Sequence, residues 1–472
     1  MHDLVLRDAR LWGGSATDIA IEGGVIVAVG PGAARGREER RLDGRVVLPG
    51  LWDAHVHFTQ WARTLRRLDV SAARSAVDVC DAVRSAVVPA DSLLVAFGFR
   101  WGTWAEPPTL AALDAARIAP TVVLSGDLHT SWVNSAAAVR LDLPGAGLLR
   151  EDAAFAAQRV LDAEPVAVHA VAAAVAAASA RGVVGIVELE MADNVTDWTR
   201  RIDAGIDGLR VRAGFYPDML EGRVREGART GLTVSGSQGL LTHGPLKVIT
   251  DGSLSTLTAH CMDPYPGGGI GVQNVSPDQL VEYLRVAAAA GLQVAVHAIG
   301  DRANTIALDA FAATGAHGTI EHAQLVTVPD LHRFAPLGVT ASVQPEHALD
   351  DRDVADQLWA GRTGRSFPLR ALLDAGARLT LGSDAPVAPL DPWISIAAAV
   401  HRTRDHRPAW HPEQAISVEE AILASVRSSV APGQPADLVA LDADPGAADA
   451  AVLRAMPVAL TLVAGRVTHD AS

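Results

Sequence analysis

The sequence predicts an α/β fold: a distorted (β/α)8 TIM barrel with a small composite β-sandwich formed by both chain ends. Three observations carry this. Eight apolar runs of strand length alternate with helical stretches through the middle of the chain, the number and rhythm such a barrel needs. Both ends carry short β-rich runs broken by glycine turns, too few at either end for a separate core. Two further strand-like runs fall between the first and second of the eight, which marks an insertion. The expected division is a composite sandwich over 1–50 and 430–472 and a barrel over 51–429. Residues 60–165 form an inserted subdomain packed over the barrel mouth.

The N-terminal strands are read at 4–6, 19–21, 25–29 and 46–48, with turns at Gly23-Gly24 and Gly30-Pro31. The barrel strands are read at 52–56, 183–187, 209–213, 246–249, 293–296, 318–320, 339–343 and 378–381. The two extra runs are 93–97 and 121–124. The C-terminal strands are read at 436–441 and 460–463, the latter opening a hairpin through Ala464-Gly465. The insertion holds Trp61, Trp101, Trp104 and Trp132, which read equally well as core or as the wall of an apolar pocket.

Bulk composition narrows the function. The 472 residues are 49% hydrophobic and 20% charged, as in an ordinary globular protein. A net charge of −14 argues against nucleic acid or an anionic membrane as partner. Cys80 and Cys261 form no CxxC pattern, so a disulfide scaffold or thiolate zinc site is not expected. The apolar stretch 167–180 is mostly alanine and reads as a core helix. No signal peptide is evident at the N-terminus, so the expected location is cytoplasmic. The expected partner is a small-molecule substrate, and a homodimer is an open assembly.

Residues suited to metal binding recur at the strand ends, where barrel active sites are built. In Trp52-Asp53-Ala54-His55-Val56-His57, residues i and i+2 share a face, so His55 and His57 point the same way. Of the 40 Lys and Arg residues, Lys247 is the only lysine, and it lies inside an apolar run. Burial lowers a lysine pKa, and a neutral amine can take up carbon dioxide to give a carbamate, an anionic two-oxygen ligand. Arginine stays protonated and cannot do this. A chance survivor or a buried salt bridge explains Lys247 alone equally well. His297, His322 and Asp384 follow at the ends of later strands. Each taken singly reads as a hydrogen-bonding or turn residue. Together the six suit zinc or a similar divalent ion.

The order of these segments resembles the amidohydrolase superfamily, in particular its family-3 branch with the N-substituted formamide deformylases. The matching text runs from Leu48-Pro49-Gly50-Leu51-Trp52-Asp53-Ala54-His55-Val56-His57 through Asp127-Leu128-His129-Thr130-Ser131-Trp132-Val133-Asn134-Ser135. It continues in Glu321-His322-Ala323-Gln324, Ser342-Val343-Gln344-Pro345 and Gly382-Ser383-Asp384. The resemblance places His55 and His57 on barrel strand one, Lys247 on four, His297 on five, His322 on six and Asp384 on eight.

The mechanism expected from this set has a carbamate on Lys247 bridging two divalent ions, with zinc the expected metal. His55, His57 and Asp384 hold one ion, and His297 and His322 the other. Asp384 is the catalytic proton carrier. The expected reaction is hydrolysis of an amide, N-formyl or cyclic amide bond. One alternative keeps a single metal and an unmodified lysine for hydrolysis or deamination of a ring. Another is a non-catalytic scaffold of the same fold, which the complete ligand set argues against. His129, Trp132 and Gln344 lie in family-like segments and are the expected substrate contacts. Glu188 or Glu190 offers a further carboxylate, with a solvated or salt-bridged pair the simpler reading. Arg100 and Arg302 are read as surface ion pairs. Between Ala424 and Pro432 the chain is shorter than is usual in that family, which leaves the joint from barrel to sandwich open.

Overall fold

A computed structural model describes residues 2–471 except 33, 34, 90, 127, 129, 144, 151, 164 and 165. The chain divides into two compact units, Met1–Phe58 with Val175–Ser472, and Thr59–Ala174.

The larger unit contains eight strands in one parallel sheet: β1 (Leu51–Val56), β2 (Val183–Glu188), β3 (Arg210–Phe215), β4 (Leu241–Ile249), β5 (Val294–Ala298), β6 (Gly318–His322), β7 (Thr340–Val343) and β8 (Arg378–Leu381). They pair in chain order. The sheet curls until β1 and β8 meet, where Val56 bridges Ala385 in parallel and Asp384 N–H donates to His55 O at 2.8 Å. The strands read as continuous apolar runs because both faces are buried; every residue of β2 is inaccessible or nearly so. Flanking helices start and stop on local signals. Ser276 caps Pro277–Ala289 by accepting from Gln279 N–H, with proline at the first helical position. Gly315, at φ 63°, ends Asp301–Thr314.

The two chain ends of this unit share one mixed eight-stranded sheet. Its order is Arg466–Asp470, Val458–Val463, Leu438–Leu441, Val46–Pro49, His2–Leu11, Ala16–Glu22 and Val25–Gly30, with Gly36–Arg41 added beside His2–Leu11. Leu6, Ile19, Ile21, Leu438 and Leu462 fill its core. The short joint after Ala424 runs along β1, with Trp52 N–H donating to Ser425 O at 2.7 Å.

The second unit has a five-stranded sheet ordered Gly147–Arg150, Thr130–Val133, Thr121–Ser125, Leu94–Phe99 and Leu68–Asp69. Its core gathers Phe99, Leu113, Val123 and Trp132. Among the described residues, no helix is long and apolar enough to cross a membrane. Cys80 and Cys261 are both free and buried.

Candidate metal centre

The seam between β1 and β8 builds the first half of the site. The pleat turns Asp53, His55 and His57 to one side. Asp53 Oδ1 accepts the N–H groups of His55 at 3.1 Å and Ser383 at 2.9 Å, tying the two strands together. Burial pushes the Asp53 carboxyl up to about 7. Gly382 permits this closeness, since a Cβ there would stand 2.8 Å from both His55 Cβ and His55 N. Asp384 follows with φ 56°, a left-handed conformation that costs energy for a residue bearing a side chain. Its Oδ1 lies 3.4 Å from His55 Nε2 and 3.4 Å from His57 Nε2. Burial alone would raise the Asp384 carboxyl, but His55, His57 and His322 hold it well below the usual carboxylate range. Burial works against protonated His57, but Asp384 outweighs it and raises the imidazole above its ordinary value.

The later strands supply the rest. Lys247 on β4 is 2% exposed, and its Nζ lies 3.4 Å from His55 Nε2. Burial lowers its pKa, against the pull of Glu321 and Asp384. His55 Nδ1 pairs with Glu321 Oε2 at 2.7 Å, and Thr319 Oγ1 holds the other carboxylate oxygen. A carboxylate that accepts the Nδ1 proton leaves His55 Nε2 as the ligand atom. His322, at φ 72°, packs its ring 4.4 Å from that of His297. Burial, followed by the positive charge of Lys247, drives His297 down to about 3. Its Nε2 is 3.4 Å from both Gly252 O and Asp251 Oδ1.

Two groups of donor atoms stand within 4.8 Å of one another: His55, His57 and Asp384, and His322, His347 and Asp384. Tetrahedral zinc with bonds of about 2.0–2.1 Å places neighbouring donors roughly 3.3 Å apart. The 3.4 Å spacings around Asp384 Oδ1 therefore fit a divalent ion with little movement. Nitrogen and carboxylate donors are the chemistry such ions take.

The structure thus gathers His55, His57, His322 and Asp384, and sets Lys247 beside His55. It leaves His297 in ring contact with His322 but outside both donor groups. Sequence reasoning passed over His347, three residues beyond Gln344 in the same segment. It also gave no role to Glu321, although Glu321 adjoins His322. Asp251 was missed too. Buried after β4, it accepts N–H groups from His260, Ile299 and Gly300 and so shapes the loop that follows His297.

Among the expected substrate contacts, His129 lies outside the described residues. Gln344 is 3% exposed; its Nε2 donates to Ser342 O at 3.3 Å, and its Oε1 has no partner among the described residues. Trp132 sits in the core of the smaller unit, fully buried, with Nε1 donating to Thr109 O at 3.0 Å. Glu188 is fully buried and makes no salt bridge among the described residues. It accepts from Phe58 N, Glu190 N and Trp198 Nε1 at 3.0, 3.1 and 2.9 Å, a framework role. Arg302 is exposed.

Two expected results follow from this geometry. Glu321→Gln should weaken metal affinity about 10- to 100-fold by releasing the His55 tautomer, as read by metal titration. Unchanged affinity would exclude that role. The second concerns acid. His297 is neutral in the fold down to about pH 3, whereas an unfolded histidine protonates near its ordinary value of 6.5. The unfolded state therefore binds the extra proton between these limits, and stability falls as pH drops from 6.5 towards 3. The slope from this group is up to about 1.4 kcal/mol per pH unit. Denaturation of metal-free protein should show a shallower acid limb for His297→Gln than for the wild type. Parallel limbs would refute this.

The amidohydrolase family model matches residues 39–469. Protein LONG AFTER FAR-RED 3 of Arabidopsis thaliana is 30% identical over 496 residues, covering 90% of this chain and 84% of that protein. The N-substituted formamide deformylase of Arthrobacter pascens is 26% identical over 252 residues, 49% of this chain and 46% of that enzyme. A solved structure, an uncharacterized metal-dependent hydrolase from Pyrococcus horikoshii, aligns with a TM-score of 0.78 and 24% identity over 95% of this chain and 99% of its own.

Proposed function

Because the chain belongs to the amidohydrolase family, we propose that it hydrolyses a carbon–nitrogen bond outside peptides: an amide, an N-formyl group or a cyclic amide of a small molecule. The observation that carries this is the placement of Asp384. One carboxylate oxygen faces His55 and His57, the other faces His347, and Lys247 stands behind His55. Similarity to a formamide deformylase across about half of the chain supports the N-formyl class.

Bound divalent metal, with zinc the best match to these donors, would polarise the substrate carbonyl and lower the pKa of a water towards ~7. His55, His57 and Asp384 would hold one ion, and His297 and His322 a second. Lys247, whose charged form burial disfavours, could take up one carbon dioxide and lose one proton to give a carbamate, an anionic ligand suited to such ions. Asp384, anionic at neutral pH, would accept a proton from the attacking water. It would then deliver that proton to the leaving nitrogen, giving an amine and a carboxylic acid that releases its remaining proton to solvent. Glu321 would hold His55 in the tautomer that frees Nε2. A single-ion reading, with an unmodified Lys247 and a ring amide or ring amine as substrate, is favoured by one observation: His297 Nε2 faces Gly252 O and Asp251.

The test is a panel of N-formyl, N-acyl and cyclic amides assayed with Zn²⁺ or Mn²⁺ restored after chelation. Amide hydrolysis that disappears with the metal and returns with it is the expected result. Turnover confined to esters or to ring amines would overturn the reading. Metal counting separates one ion from two.

A further inference from the structure

We propose that His347 is a metal ligand supplied from the end of β7, binding an ion jointly with His322 and Asp384. The chain leaves β7 at Val343, passes through Gln344 in a non-helical conformation, and starts the short helix Pro345–Asp350 with proline at its first position. That turn carries the His347 ring into the barrel mouth. The ring lies nearly parallel to that of His322, with centroids 6.0 Å apart and planes 16° apart. His347 Nε2 is 3.8 Å from Asp384 Oδ2, whereas Asp384 Oδ1 faces His55 and His57.

Two details make this more than proximity. His347 Nε2 is buried and has no hydrogen-bond partner among the described residues, and the same holds for His322 Nδ1. Proteins rarely leave buried polar atoms in that state without a water or an ion to satisfy them. The donor atoms of His322, His347 and Asp384 also lie within 4.8 Å of one another, as closely grouped as His55, His57 and Asp384. A carboxylate with one oxygen towards each nitrogen group can serve two ions, or select between two positions for one.

The inference rests on the metal-dependent reading above, and the experiment separates the two. Co²⁺ and Zn²⁺ are titrated into chelator-treated wild type, His347→Asn and His347→Glu, with the visible Co²⁺ bands recorded. The metal-free melting temperature of each variant controls for folding. His347→Asn should lose at least ~10-fold in affinity for one ion and shift the Co²⁺ bands, since losing a ligand should cost no less than losing an outer-shell partner. His347→Glu, which returns a donor to the same place, should recover most of the affinity. Unchanged affinity and bands in a folded His347→Asn overturn the proposal, whether the wild type holds one ion or two. If His347→Asn does not fold, His347→Glu decides alone: wild-type Co²⁺ bands would show that no nitrogen ligand was lost and would overturn the proposal. A wild type that binds no metal overturns the metal-dependent reading itself, and this inference with it.

Discussion

Asp384→Asn is expected to fold, to bind metal more weakly, and to lose about 10³-fold or more in kcat. The amide has nearly the shape of the carboxylate, and Asn is among the residues that tolerate the left-handed backbone Asp384 adopts at φ 56°. What changes is chemistry. Asn cannot accept the proton of the attacking water, and positioned proton transfer alone contributes roughly 10²–10⁴-fold. It also brings two N–H hydrogens into a space lined by His55, His57 and His347, where the carboxylate presents only acceptors. Steady-state kinetics on the metal-saturated variant, with melting temperature as the folding control, checks this. A kcat within tenfold of wild type would remove Asp384 from the proton path.

Lys247→Arg places a permanently charged, somewhat longer side chain at this position, one that cannot form a carbamate. The variant is expected to hold at most one ion per chain where the wild type holds two, and to lose at least ~10²-fold in activity. Lys247→Ala should show the same loss, with partial recovery in formate or acetate, whose carboxylate can occupy the space beside His55. Intact mass under gentle conditions should show one carbon dioxide added to the wild type and none to either variant. Full metal content and activity in Lys247→Arg would leave the lysine a structural residue. The surroundings of Lys247 sharpen the test. The residue is 2% exposed, and this burial disfavours the charged form against the pull of Glu321 and Asp384.

The barrel was legible because its strands are buried on both faces, which forces near-continuous apolar runs. All eight runs read from the sequence lie within or overlap observed strands. The His55-Val56-His57 face followed from the two-residue pleat, and Lys247 from its conflict with an apolar run. His347 was not legible by the same rule. It lies past β7 on a short helix, so its direction depends on how Pro345 turns the chain. The role of Glu321 was hidden for another reason. Its partner His55 is 266 residues away, and no local pattern announces that pairing. Trp132 shows the ambiguity of composition: a large aromatic in a family-like segment reads alike whether it packs a core or lines a pocket.

The seam of β1 and β8 joins residues from opposite ends of the barrel sequence, and Gly382 lets the two strands touch at His55. The donor group His55, His57 and Asp384 lies across that same seam. An ion held there acts as a clasp on the ring of strands as well as a reagent. Its ligands come from both strands of this sequence-distant pairing, so its binding free energy adds to the stability of the closed barrel and is lost when the ring opens. Removing it should loosen first the two strands that carry the chemistry.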